Sequence, residues 1–284
     1  MENLTYRETI KIYVNQDVES YIKTLVYGFL NSLQKNATIS NYFFIRYKDQ
    51  DGYHLRLRLL SSVKTSELLR YLIKYDSSYD NEIRYKISGY RVEEYLPEIE
   101  RYGGKEGIKI AESFFSYNSK FVAGCLRTSK DNSYNERLIQ AIIANTIIIN
   151  SFIHKDYIND FLEISKRLWM GFIVTDEGSG IPDIGSVFDK RFQAAKDNML
   201  TVYDYCMSNK KSALHKRLEN QCITHRKEFE RCLTLVTSFD FFSKPLYGIV
   251  DSLIHMNNNR FGISNLDESY VSSLILNMFK CKWN

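Results

Sequence analysis

The sequence predicts an α+β fold, with an N-terminal β-α-β-β-α-β antiparallel sheet layer packed against a largely helical C-terminal half. Three observations predict it. Residues 41–60, NYFFIRYKDQDGYHLRLRLL, hold two strand-like runs around a turn, KDQDG. Amphipathic helical spacing flanks that hairpin on both sides, and beyond residue 93 apolar residues recur at helical spacing almost to the end. Residues 1–92 therefore form a sheet-containing part and 93–284 a mainly helical part, with no linker long enough to separate independent domains, so 1–284 reads as a single domain.

Each element follows from its pattern. Residues 11–14 make a short strand. Residues 17–33 place Val18, Tyr21, Ile22, Leu25, Val26, Phe29, Leu30 and Leu33 on one helical face, with Asp17 as N-cap. In the hairpin, 42–47 is aromatic and β-branched. The run 53–59 alternates, with Leu55, Leu57 and Leu59 on one face and His54, Arg56 and Arg58 on the other. Residues 65–75 form a second amphipathic helix capped by Thr65, and 81–92 a fourth strand. That order is the split βαβ layer, in which helices cover one sheet face and the other needs a use. Gly103-Gly104 then precedes a helix over 105–115, and helices follow at 134–152, 156–172, 186–207, 213–235, 245–256 and 267–279, with TDEGSGIPDIG as the one clear loop.

Composition narrows the class. Hydrophobic content of 44% and charged content of 25% are those of an ordinary soluble globular protein. The 21 Tyr and 17 Phe suit large contact surfaces, although a biased genome gives the same look. A net charge of +4 and a pI near 8.6 are too mild to indicate nucleic acid. Five cysteines are scattered without a CxxC pair. Cys222 and His225 stand three apart on a helix, which points to packing rather than zinc. The N-terminal MENLTYRETIKIYV is neither a signal peptide nor a membrane span, so a reduced cytoplasmic protein without membrane insertion is expected.

Four places offer chemistry beyond packing. The hairpin row His54, Arg56 and Arg58 is either a solvated outer sheet face or a set of donors shaped for carboxylates or phosphates. Arg101, just before the Gly-Gly turn, is either a surface ion-pair member or a site residue held by that turn. His255 follows an apolar Leu253-Ile254 pair, as a core histidine or as a proton carrier, with Asn257 to Arg260 supplying amides and another guanidinium nearby. Tyrosines, among them Tyr47, Tyr53, Tyr95 and Tyr102, can donate to an anion or simply pack, and Phe114, Phe115 and Trp169 can line a channel or fill the core. Together these describe a pocket with several arginines and one histidine, suited to holding a carboxylate and moving a proton.

The motifs FFIRYKDQDGYHLRLRL, EYLPEIERYGG followed by AESFF and Asn118-Ser119, and SLIHMNNNRFG resemble the landmarks of the C-terminal, small domain of class I lanthipeptide dehydratases and of related stand-alone thiopeptide biosynthesis proteins, in that family's order. The resemblance implies a single elimination-type domain acting as a lyase. It releases glutamate from glutamylated Ser or Thr of a precursor peptide, leader plus core, to leave dehydroalanine or dehydrobutyrine. It also implies a separate glutamylating partner that uses glutamyl-tRNA. The family's elimination residues fall on Arg56, Arg58, Arg101 and His255, with His54, Tyr102 and Arg260 as neighbouring candidates for substrate binding. No metal or redox cofactor is required. Two other activities fit: a pyridine synthase joining two dehydroalanines in a formal [4+2] cycloaddition with expulsion of the leader, and a non-catalytic scaffold that captures the precursor peptide. The sequence leaves monomer and homodimer open. The lyase reading expects the three arginines and the imidazole to share one anion-holding cavity.

Overall fold

The computed structural model describes residues 8–78, 86–174, 184–233 and 245–283. The chain clusters into two compact units, Met1–Ile99 with Ala111–Asn132, and Glu100–Ile110 with Ser133–Asn284. Residues 111–132 thus group with the sheet, beyond the 1–92 that the sequence pattern assigns to it.

In the first unit, β1 (Glu8–Val14), β2 (Asn41–Asp49), β3 (Gly52–Leu60) and β4 (Ile87–Glu94) form one antiparallel sheet in the order β2-β3-β1-β4. This is the strand order of a split βαβ layer. The β2–β3 hairpin closes with Asp49 opposite Gly52, whose φ of 114° suits only glycine, and Asp49 Oδ1 accepts the Asp51 N–H. Register places Ile10 beside Leu57 and Ile12 beside Leu55, all 0–1% exposed, on one buried face of the sheet. The expected strand over 81–92 begins at Ile87 and runs two residues further; residues 79–85 lie outside the described part.

The helix expected over 17–33 is three pieces: α1 (Val18–Thr24), a π-helical segment (Leu25–Leu30) and α2 (Asn31–Lys35). Asp17 caps α1 by accepting the Ser20 N–H. The π segment contains Gly28, where a Cβ would lie 1.7 Å from the Tyr75 hydroxyl of α3 (Thr65–Ser78), so the side-chain periodicity holds while a close helix approach resets the backbone winding. Helix α4 (Gly104–Thr128) runs well past the expected end at 115. Ser116, Asn118 and Ser119 read as helix-weakening in sequence, but they are buried, and Ser119 Oγ accepts the Phe44 N–H while Phe115 packs on Phe43. Tertiary use overrides local propensity there.

The second unit is helical. A turn of 3-10 helix (Glu100–Tyr102) leads into α4, and α5 (Tyr134–Phe152) begins with Ser133 accepting the Glu136 N–H. Then come a second 3-10 turn (Lys155–Tyr157), α6 (Ile158–Val174), α7 (Ile184–Met207), α8 (Ala213–Leu233), α9 (Pro245–Phe261) and α10 (Asn265–Trp283). Helix α5, buried without a break from Ala141 to Ile149, packs on α7, α8 and α9, while α10 packs on α6 and α7. The loop TDEGSGIPDIG lies outside the described residues except for Ile184 and Gly185, which open α7. Among the described residues no single helix is long and apolar enough to cross a membrane.

Candidate functional site

Two residue sets, one in each unit, hold the candidates. The first occupies the β3 face opposite the leucines. Arg58 keeps 9% exposure and His54 none, so this face is not a solvated outer layer. Two residues apart on one strand, Arg56 and Arg58 project in the same direction, about 6–7 Å apart along β3. Arg58 donates through Nε to Thr9 Oγ1 at 3.2 Å, and its guanidinium lies over the rings of Tyr95 at 4.5 Å and Phe43 at 5.2 Å. Burial pulls Arg58 below its ordinary pKa and raises that of the nearby Glu112 carboxyl, which Arg58 and Tyr95 oppose. Arg56 covers the Tyr47 ring at 3.5 Å, stands 3.6 Å from Glu93 Oε1 and donates to His54 Nε2 at 3.4 Å. His54 in turn donates from Nδ1 to Gly52 O, and burial lowers its pKa, so it serves as a neutral acceptor that orients Arg56. Beside Arg56 on β1, Lys11 is clamped by Glu93 at 2.8 Å and Asp49 at 3.1 Å, which raise its pKa against the effect of burial.

The second set gathers around α9. Arg101, on the 3-10 turn, donates through Nε to Ser252 Oγ at 2.9 Å, and Ser252 donates to Gly248 O within α9. The turn owes its shape to Gly103 and Gly104, with φ of 83° and 93°, and to Gly107, where a Cβ would sit 1.7 Å from Tyr102 O. One turn along α9 from Asp251, His255 stacks on Trp169 with ring centroids 4.8 Å apart and an interplanar angle of 16°. Its Nδ1 meets Glu268 Oε1 at 2.6 Å. Glu268 is 2% exposed, whereas the His255 side chain keeps 15%. Asn258 donates to Glu268 Oε2, its own Oδ1 accepts from Asn145 Nδ2, and Asn145 Oδ1 accepts from Asn257 Nδ2. Asp251 accepts from Ser165 at 2.6 Å and from the Trp169 indole. Burial raises the pKa of both carboxyls, with His255 drawing each back down.

The structure therefore brings Arg56 together with Arg58 on β3, and sets Arg101 against the same helix, α9, that carries His255. Tyr102 and Arg260 are 2% and 0% exposed, and Arg260 Nη1 donates to Met256 O. His54, Tyr102 and Arg260, the three candidates for substrate binding, are thus all buried. Sequence reasoning missed Glu268 and Asp251, whereas Asn258 lies in the amide run already placed beside His255. A signal for Asp251 existed, because Asp251, His255 and Asn258 stand at i, i+4 and i+7, a polar stripe on an apolar helix. Glu268 gave none: next to Asp267 in the first turn of α10, it reads as an ordinary dipole-compensating acid. Among the described residues no group of three or more His, Cys, Asp and Glu is placed to hold a metal ion, and Cys222 and His225 are buried in α8.

A split βαβ sheet precedes a helical second half, and the motif arginines and the motif histidine stand on ordered elements. The chain belongs to the lantibiotic biosynthesis dehydratase C-term family, whose model matches residues 9–279. It is similar to the epidermin biosynthesis protein EpiB of Staphylococcus epidermidis, 24% identical over 93% of this chain and 25% of that protein. Among solved structures it resembles the tRNA-dependent lantibiotic dehydratase MibB from Microbispora sp. 107891, with a TM-score of 0.66 and 17% identity over 100% of this chain and 29% of MibB. It also resembles the pyridine synthase TbtD from thiomuracin biosynthesis, with a TM-score of 0.63 and 12% identity over 96% of this chain and 97% of TbtD. The chain thus spans about a quarter of the length of the dehydratases it matches.

Proposed function

We propose that this chain catalyses glutamate elimination from a glutamylated precursor peptide, using Arg56, Arg58, Arg101 and His255, with a separate glutamylating partner that draws on glutamyl-tRNA. In this step the Cα–H bond of the esterified Ser or Thr breaks and its proton passes to a base. The freed electron pair forms the Cα=Cβ bond, the Cβ–O bond breaks, and glutamate leaves as a carboxylate. Negative charge grows on the carbonyl beside Cα and on the leaving oxygen. Guanidiniums fixed by neighbouring rings and hydroxyls stabilise such charge without reorganising.

The observation that supports this reading best is His255, an imidazole held at one nitrogen by a buried carboxylate, on the helix that receives Arg101. The test is incubation of the chain with a synthetic glutamylated peptide carrying its leader, followed by mass spectrometry. Loss of glutamic acid and appearance of dehydroalanine are expected. His255→Ala should slow it by about 10²–10⁴-fold and Arg101→Ala by about 10²–10³-fold, with peptide binding retained. Macrocycle formation from a dehydroalanine-containing peptide, in place of glutamate release, would overturn the reading in favour of a pyridine synthase; tight binding with neither reaction would favour a scaffold.

A further inference from the structure

We propose that Glu268 and Asn258 are positioning residues that hold the proton of neutral His255 on Nδ1, leaving Nε2 as the base that takes the Cα proton. The base assignment rests on the lyase reading above; the tautomer assignment does not. Asn258 is oriented from behind. Its Oδ1 accepts from Asn145 Nδ2 at 2.8 Å, and Asn145 Oδ1 accepts in the same way from Asn257, so the Asn258 amide nitrogen faces Glu268. Glu268 consequently receives a donor at Oε2, and its Oε1 lies 2.6 Å from His255 Nδ1. A carboxylate accepts at both oxygens, which puts the imidazole proton on Nδ1. Stacking on Trp169 fixes the ring plane, and the Trp169 indole is itself held by Asp251. Among the described residues, charged groups that act on this cluster include Glu268 from α10, Asp251 from α9 and, through Asp251, Arg101 from the 3-10 turn. Of the pair, the imidazole keeps the exposure, and with Nδ1 engaged the nitrogen left to meet a substrate is Nε2. When Nε2 takes a proton, the ionised carboxylate stabilises the imidazolium, the logic of a carboxylate-oriented histidine base.

The same orientation makes an unusual expectation. In Glu268→Gln the carboxamide oxygen must face the Asn258 amide nitrogen, so its NH2 faces His255 Nδ1 and forces that nitrogen to accept. The tautomer inverts with almost no change in volume. Adding Asn258→Asp reverses the demand: the introduced carboxamide turns its NH2 to the new carboxylate, its oxygen returns to His255, and Nδ1 is protonated again. The experiment is two-bond 1H–15N correlation of the imidazoles in the full chain, with the His255 pattern assigned by its loss in His255→Gln. Wild type should show the Nδ1-protonated form, Glu268→Gln the Nε2-protonated form, and the double variant the wild-type form. Elimination of glutamate should fall by about 10²–10⁴-fold in kcat in Glu268→Gln, with KM little moved, and partly recover in the double variant. An Nε2-protonated wild type, or a Glu268→Gln protein of unchanged melting temperature that keeps the wild-type pattern, overturns the tautomer assignment. If the tautomers behave as stated but kcat does not follow them, the base assignment falls. If wild type releases no glutamate at all while the tautomers behave as stated, the lyase reading fails and the positioning of His255 by Glu268 stands.

Discussion

Asp76 is the residue whose titration should be readable in stability. Its Oδ2 accepts from Tyr90 at 2.6 Å and Tyr21 at 3.1 Å, yet burial outweighs both phenols and pushes the carboxyl up to about 6. In the unfolded chain it titrates near 3.9. Between those values the folded protein binds a proton that the unfolded chain has released, so this group's stabilising contribution is lost as pH rises from about 4 through 6. Asp76→Asn keeps an acceptor for the tyrosines and cannot ionise. Urea midpoints for wild type and Asp76→Asn should therefore diverge from pH 4 to pH 7 in favour of the variant; a difference that stays constant with pH would show that the ionised form is not destabilising. Arg58→Lys belongs to the same scale. The planar group over Tyr95 and the donor to Thr9 are lost while the charge is kept, so on the proposed function glutamate elimination should fall although net charge does not change, as peptide assays will report. At this scale the candidate arginines and the candidate histidine were marked in the sequence by motif type and alternation. Their partners were not. Tyr95 meets Arg58, and Glu268 meets His255, across sequence separations on which no local pattern reports.

The 3-10 turn and the start of α4 explain why the motif around Arg101 ends in Gly-Gly. Gly104 has φ of 93° with open space where a Cβ would stand, so Gly104→Ala carries a conformational cost alone, about 1–2 kcal/mol. Gly107 is different. A methyl there meets the Tyr102 carbonyl, so Gly107→Ala must shift the backbone that carries Arg101. Thermal melts should show Gly107→Ala as the more destabilising change and, on the proposed function, the glutamate-release assay should show it as the more damaging; the reverse order would mean that the turn tolerates displacement. Element existence was readable from periodicity: hairpin, split βαβ order and every helix of the second half are present. Element ends were less so. Helix α9 passes the expected stop at 256 because Asn257 and Asn258 commit their amides to Asn145 and Glu268 instead of to competing turns, and α4 continues because Ser119 has a partner on β2. Neither partner is a local neighbour.

At the scale of the whole molecule the chain does not finish one unit before starting the other. It leaves the sheet unit after Ile99, supplies residues 100–110 to the helical unit, returns for residues 111–132, and departs again at Ser133. Helix α4 belongs to both: its first turns, with Arg101 just before them, sit in the helical unit, while Phe115 and Ser119 engage Phe43 and Phe44 of β2 in the sheet unit. Unfolding the helical unit alone would strip α4 of its N-terminal turns and the glycine turn that starts it. A helix without its first turn frays, and fraying here reaches the residues that cover β2. Both units should therefore lose protection together. Trp169 and Trp283 both lie in the helical unit, so tryptophan fluorescence reports on that unit alone, whereas hydrogen exchange read peptide by peptide reports on both. Along a urea series, peptides from β1–β4 should become exchangeable at the same denaturant concentration as those from α5, α9 and α10, and at the fluorescence midpoint. Two separated transitions, with the strands protected after the fluorescence change is complete, would show that α4 does not couple the units, and that the arginine pair of β3 remains ordered when His255 and Arg101 are not.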